Sequence, residues 1–273
     1  MSPNRSSRLR RAARPSAALA AAVLLTLVSA GCAGHPASPA STSGTGERGA
    51  SGSIAVFAAA SLQRTFTTLG RDFEREHPGT TVTFSFAGSS DLVSQIRNGA
   101  PADVLASADR ATTEQLGADV VAGSPRDFAT NTLEIAVATG NPLDVADLED
   151  LTAPDVQLVT CAPPVPCGAA TAAVERSSGV DLHPVSEEQS VTDVLGKVTS
   201  GQADAGIVYR TDVQGADGAV EGVPFAAADD AVNTYPISVL RDAADPELAR
   251  AFTAYVLSTS GQRVLAAAGF GEP

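Results

Sequence analysis

The stretch Val56-Phe57-Ala58-Ala59-Ala60-Ser61, VFAAAS, decides how the rest of the chain is read. A strand-like apolar run gives way to three alanines and a serine, and an amphipathic pattern starts at once. Leu62, Phe66, Leu69 and Phe73 recur at spacings of four, three and four, one face of a helix, and read as core only. A strand that passes straight into a helix places the helix N-terminus, with its free N–H groups and positive dipole end, at the strand's carboxyl end. Small side chains there leave the backbone open to a ligand, and an anion is what such an end holds. Ser61 is also a natural N-cap, so the competing reading is a serine that caps its own helix and does nothing else.

The alternation continues outward from this junction. Ile54–Ala58 is a short strand, and Thr81–Phe86 (TVTFSF) alternates with period two. The turn AGSSD follows, and Leu92, Val93 and Ile96 mark a helix stopped at Asn98-Gly99. Ser89, after Gly88, repeats the strand–serine–helix arrangement, with Ser90 as a rival cap. Further strands are read at Asp103–Ser107, Leu133–Ala138, Val156–Thr160, Ala205–Tyr209 and Tyr235–Leu240. Val191, Val194, Leu195 and Val198 form a helical face, and Pro246–Leu257 and Gly261–Ala268 form a helical tail. Such a chain is an α/β protein with largely parallel sheets flanked by helices. In these folds ligands bind beyond the carboxyl ends of strands, where Ser61 and Ser89 stand.

Composition sets the surroundings. The chain has 273 residues, 44% of them hydrophobic, with no tryptophan and only 4% aromatics, so the core is expected to rest on Ala, Val and Leu. Residues 1–31 read as an export signal: Arg5, Arg8, Arg10, Arg11 and Arg14, then the uncharged stretch Ala17–Ala30, too short to span a bilayer comfortably. Ser29–Cys32 (SAGC) resembles a bacterial lipobox, although serine stands where leucine is usual; the resemblance implies cleavage before Cys32 and lipid on its thiol. The alternative is a secreted protein with an ordinary cleavage site. Residues 32–52 then form the lipidated cysteine and a flexible tether rich in Gly, Ser, Pro, Ala and Thr. Losing five arginines takes the formal charge from −13 to −13 − 5 = −18, which argues against nucleic acid and anionic membrane as partners. Cys161 and Cys167, in CAPPVPC, read as a disulfide outside the cytoplasm. Two thiols without a nearby histidine pair make a poor zinc site.

With these pieces assembled, the chain resembles the periplasmic molybdate-binding proteins of ABC transporters, in an actinobacterial lipoprotein form. The matching segments are Val56–Leu62, Ser85–Asp109, Val165–Gly168 (VPCG), Gly206–Tyr209 (GIVY), Tyr235–Val239 and the GF near the end, together covering roughly residues 53 to 270. The resemblance implies a two-lobed periplasmic-binding-protein fold of type II, each lobe a mostly parallel sheet flanked by helices, with the ligand cleft between. Residues 53–131 and 234–273 would form lobe I, and 132–233 lobe II. It implies molybdate, and with it tungstate, bound by Ser61 and Ser89 through hydroxyl and N–H, by Cys167 and Val191 through backbone N–H, and by the Tyr209 hydroxyl. Cys167 stands where the family commonly has alanine, so binding site and disulfide would share a residue. The implied protein is a monomer without cofactor, held outside the cell membrane by its lipid anchor, and it delivers molybdate to permease subunits.

Chemistry favours the same set. Molybdate is a dianion that carries no proton near neutral pH, so it only accepts hydrogen bonds, and every candidate is a donor. Asp91 and Asp193 lie near these positions in sequence and are expected in first helical turns facing solvent. Three other readings stand against this one: a binder of sulfate, phosphate or a small organic anion; a serine hydrolase, for which G-x-S-x-G is missing and His35, His77 and His183 are poorly placed; and a surface adhesion module. Tyr209 is open to a bland alternative, a core tyrosine with a satisfied hydroxyl.

Overall fold

In a computed structural model that describes residues 52–273, the first strand and its successors build two five-stranded sheets. β1 (Gly52–Ala59) pairs in parallel with β2 (Thr80–Ala87) on one side and β3 (Val104–Ala106) on the other. β10 (Asn233–Val239) opposes β3, and β4 (Arg126–Asn131) opposes β10. In the second sheet β6 (Leu158–Cys161) runs parallel to β7 (Ser186–Glu188) and β8 (Ala205–Tyr209). There β5 (Leu133–Ala138) opposes β8 and β9 (Val220–Val223). Each sheet is therefore mostly parallel, with one reversed strand, β10 or β5. Those two are the strands that follow the chain's two passages between sheets. The passages lie side by side, because Asn131 of β4 registers with Asn233 of β10.

Helices cover both sheets. α1 (Gln63–Glu76), α2 (Ser89–Arg97), α3 (Arg110–Glu114), α7 (Pro246–Val256) and α8 (Thr259–Ala267) belong to lobe I, and α4 (Pro166–Ser178), α5 (Val191–Thr199) and α6 (Arg210–Gly215) to lobe II. The predicted apolar stripe of α1 is core: Leu62, Phe66, Leu69 and Phe73 are fully buried. The α5 face packs on β8 at Gly206, where a Cβ would meet Val194 Cγ1 at 2.7 Å and Val198 Cγ2 at 3.0 Å. Absence of a side chain there lets α5 lie close to the strand.

The two cores differ in kind. Lobe II rests on Val, Leu, Ile and Ala, as expected from composition. Lobe I does not. The few aromatics are concentrated in it, with Phe66 meeting Phe84, Phe128 and Phe252, and Phe73 meeting Phe252 and Tyr255 at centroid distances of 5.4–6.3 Å. A low aromatic fraction averaged over the chain hides this clustering. Asp103, in the quoted Ser85–Asp109 segment, is structural: buried, it accepts from Ala55 N at 2.6 Å and Ala244 N at 2.5 Å, tying β1 to the approach to α7.

Candidate functional site

The small residues at the end of β1 open onto a small cavity, about 10 Å³, where the lobes meet. All five sequence-predicted positions, Ser61, Ser89, Cys167, Val191 and Tyr209, line it. They arrive from five separate elements, three of them in lobe II. Lobe I supplies the 3-10 turn Ala60–Leu62 that leads into α1, and the first residue of α2. Lobe II supplies the second residue of α4, the first of α5, and the last of β8.

The helix ends are open toward this space. Neither the Ala60–Leu62 turn, α2 nor α4 has a side-chain cap, and α5 is capped only at Asp193 N by Ser190 Oγ, at 3.2 Å. First-turn N–H groups have no partner within their helix, so these ends present donors and positive dipole ends to one point. This corrects the expectation that Ser61 caps its helix. α1 begins at Gln63, and the Ser61 hydroxyl instead lies 3.0 Å from the Tyr235 hydroxyl. At the second junction Gly88, not Ser89 or Ser90, occupies the cap position. Ser89, almost fully buried, accepts from Ala108 N at 3.0 Å, while Ser90 Oγ donates to Pro164 O at 2.6 Å across the cleft.

Tyr209 is 1% exposed, and its hydroxyl has no hydrogen-bond partner among the described residues. Burial pushes this phenol well above its usual range, so it keeps its proton and remains a donor. A polar side chain stands beside it, that of Tyr235, whose ring lies 6.0 Å away. No residue lining the cavity carries a charge. Asp91 and Asp193 are exposed in the first turns of α2 and α5, as the sequence implied. A carboxylate does stand behind Tyr209: Asp212 is buried, accepts from Tyr209 N at 3.0 Å, and is pushed up to about 7 by burial, against the lowering effect of that bond.

Cys161 and Cys167 have their sulfurs at bonding distance, 2.00 Å, joining the end of β6 to the first turn of α4. Across the cleft Gly88 packs so tightly on lobe II that a Cβ would overlap the Gln189 carbonyl oxygen. Asn131 Nδ2 donates to Thr211 Oγ1 at 2.8 Å and Arg210 Nη2 to Gly269 O at 2.9 Å, so the lobes are closed on one another. The described histidines are elsewhere: His77 ends α1, bonded to Phe73 O, and His183 is on the surface beside Asp181. The lipobox, Cys32 and the tether, like His35, lie outside the described residues.

Comparison with known proteins adds to this geometry. The pattern of the bacterial extracellular solute-binding protein family matches residues 54–271. The molybdate-binding protein ModA of Mycobacterium tuberculosis is 50% identical over 222 residues, 81% of this chain and 85% of the relative. The periplasmic molybdate-binding protein of Azotobacter vinelandii superposes with a TM-score of 0.70 at 22% identity, over 81% of this chain and 99% of that one. The sulfate-binding protein SubI of Mycobacterium tuberculosis does so with a TM-score of 0.63 at 21% identity, over 80% and 86%. The two structural likenesses bear on the fold alone, and they span more than one anion.

Proposed function

The chain belongs to the bacterial extracellular solute-binding protein family, and from that premise we propose that it captures molybdate and delivers it to the permease of an ABC importer. It is a binding protein rather than an enzyme, and it works outside the cytoplasm. Tungstate, with the same charge and nearly the same size, is a second ligand of the same cavity. Ser61 and Ser89 donate hydroxyl and backbone hydrogens to the ion, Cys167 and Val191 donate backbone N–H, and Tyr209 donates its phenol.

One observation carries this reading. Five uncharged donors from both lobes converge on a cavity with no charged side chain in its lining, and one of them is a buried hydroxyl with no partner. Hydrogen bonds to a charged partner are worth about 1.5–3 kcal/mol each. Several of them offset the ordering cost of binding, because the donors are already fixed on helix ends. A ligand that must donate a proton, such as hydrogen phosphate, finds no carboxylate acceptor in the lining.

Binding draws together lobe I, residues 53–131 and 234–273, and lobe II, residues 132–233, and the permease recognises that closed state. The Cys161–Cys167 bond is oxidised in the exported protein. The protein is a monomer, and Cys32 carries the lipid that holds it to the membrane. Titration calorimetry of the purified protein with molybdate, tungstate, sulfate and phosphate tests the assignment. Submicromolar binding of the first two alone is expected; tighter binding of sulfate or phosphate moves the protein to another ligand.

A further inference from the structure

Behind the anion cavity runs a chain of polar groups that direct binding does not use. Tyr235 stands on β10 with its ring fully buried, set edge-on against Phe128, Phe270 and Tyr209 at centroid distances of 6.1, 5.5 and 6.0 Å. Its hydroxyl lies 3.0 Å from Ser61 Oγ and 3.4 Å from Asn131 Nδ2. The direction of each bond follows from the next. Thr132 N donates to Asn131 Oδ1 at 3.1 Å, so the amide nitrogen faces the other way, toward Tyr235 and toward Thr211 Oγ1. An amide N–H only donates, so the Tyr235 oxygen accepts from Asn131, which leaves its single proton for Ser61 Oγ or for the neighbouring Tyr209 hydroxyl. In the first arrangement Ser61 Oγ accepts that proton, and its own O–H is left for the cavity.

We propose that Tyr235 is a positioning residue for the anion site: its hydroxyl donates to Ser61 Oγ, turns the Ser61 proton toward the ligand, and through Asn131 couples that orientation to the passage between the lobes. Ser89 reaches the same state by another route, since Ala108 N donates to its Oγ. Two hydroxyls on two elements are thus each loaded with an incoming hydrogen bond, and each must present a proton to the cavity. A fully deprotonated oxyanion accepts both. A protonated one must also donate, and the oxygen that carries its proton is the weaker acceptor. Asn131 also donates to Thr211 of α6, so the amide that touches Tyr235 touches lobe II as well.

This inference rests on the oxyanion reading of the cavity, and the test separates the two. Molybdate is titrated into the parent, Ser61→Ala, Tyr235→Phe and the double variant, with thermal melting of each protein without ligand. Tyr235→Phe is expected to bind about fivefold more weakly than the parent. In the Ser61→Ala background the same change is expected to alter Kd by less than about twofold, because its effect passes through Ser61. Installing 4-aminophenylalanine at position 235 restores an N–H donor in the same place and is expected to recover binding. Parent-like binding by Tyr235→Phe overturns the proposal, as does an equal loss in both backgrounds or a failure of the amino side chain to recover binding. A parent that binds no molybdate overturns the reading of the cavity itself.

Discussion

Leaving a phenol oxygen buried without a partner costs about 1–3 kcal/mol, and the buried Tyr209 hydroxyl meets no partner of good geometry among the described residues. Tyr209→Phe removes the unpaired oxygen and keeps the ring. The variant is expected to melt at or above the parent temperature without ligand, yet to bind molybdate at least tenfold more weakly. A lower melting temperature with unchanged affinity would return Tyr209 to the role of core residue. Asp212, behind it, gives a pH signature. Its native value of about 7 lies above the 3.8 of an ordinary aspartate, so between these values the native state holds more proton than the unfolded state. By linkage, stability falls as pH rises from about 4 to about 7. Asp212→Asn keeps an acceptor for Tyr209 N and removes the titration. Its melting temperature should match the parent near pH 4 and exceed it by a few degrees at pH 8; a constant difference across that range would contradict the assignment. Ser61, Ser89, Val191 and Tyr209, which line the cavity, were legible because they sit at strand ends or helix starts that the sequence marks, whereas Cys167 came from the family resemblance alone. Tyr235 and Asn131 were not legible, since a tyrosine inside an apolar strand and an asparagine ending a charged one look like any other core and edge residues.

At the scale of elements, the first turn of α4 and the Gly88 turn set the site. The Cys161–Cys167 link closes a short loop and fixes the turn that carries the Cys167 N–H. In the chain-entropy view such a link stabilises by roughly 2 kcal/mol, which corresponds to about 4–8 °C in a domain of this size. Reductant is expected to lower the melting temperature by that amount and to weaken molybdate binding; identical melting curves with and without it would remove the link from the account. Gly88 is required by space, not by backbone angles, since its φ of −57° suits any residue. Gly88→Ala should therefore fold like the parent but hold the lobes apart, weakening molybdate binding by about tenfold or more; parent-like affinity would show that closure does not need this contact. Strong periodicity announced α1, α2, α5 and the longer strands. The Ala-rich α4 lacks large apolar residues at helical spacing, β4 carries Arg126 and Asp127, and β7 and β9 span only three and four residues. Each of these depends on tertiary packing for its form, and none was read from the sequence.

Across the whole molecule, the proposed function asks an acidic chain to hold a doubly negative ion by local donors set against the overall field. The formal charge of the full sequence is −13, while the cavity lining is uncharged and faces helix ends from both lobes. In the proposed function closure assembles the site, since Ser61 and Ser89 come from one lobe and Cys167, Val191 and Tyr209 from the other. Lobe I, with its aromatic core, places Ser61 and Ser89 at the cavity, and the aliphatic lobe II places Cys167, Val191 and Tyr209 there. An anomalous-difference map at the molybdenum edge, from crystals of the molybdate-loaded protein, addresses the central claim most directly. The expected result is a single strong peak in the cavity, with ligand oxygens about 2.7–3.1 Å from Ser61 Oγ, Ser89 Oγ, Cys167 N, Val191 N and Tyr209 Oη. A peak held by an arginine such as Arg64 on the neighbouring face, or no peak between the lobes, would contradict it.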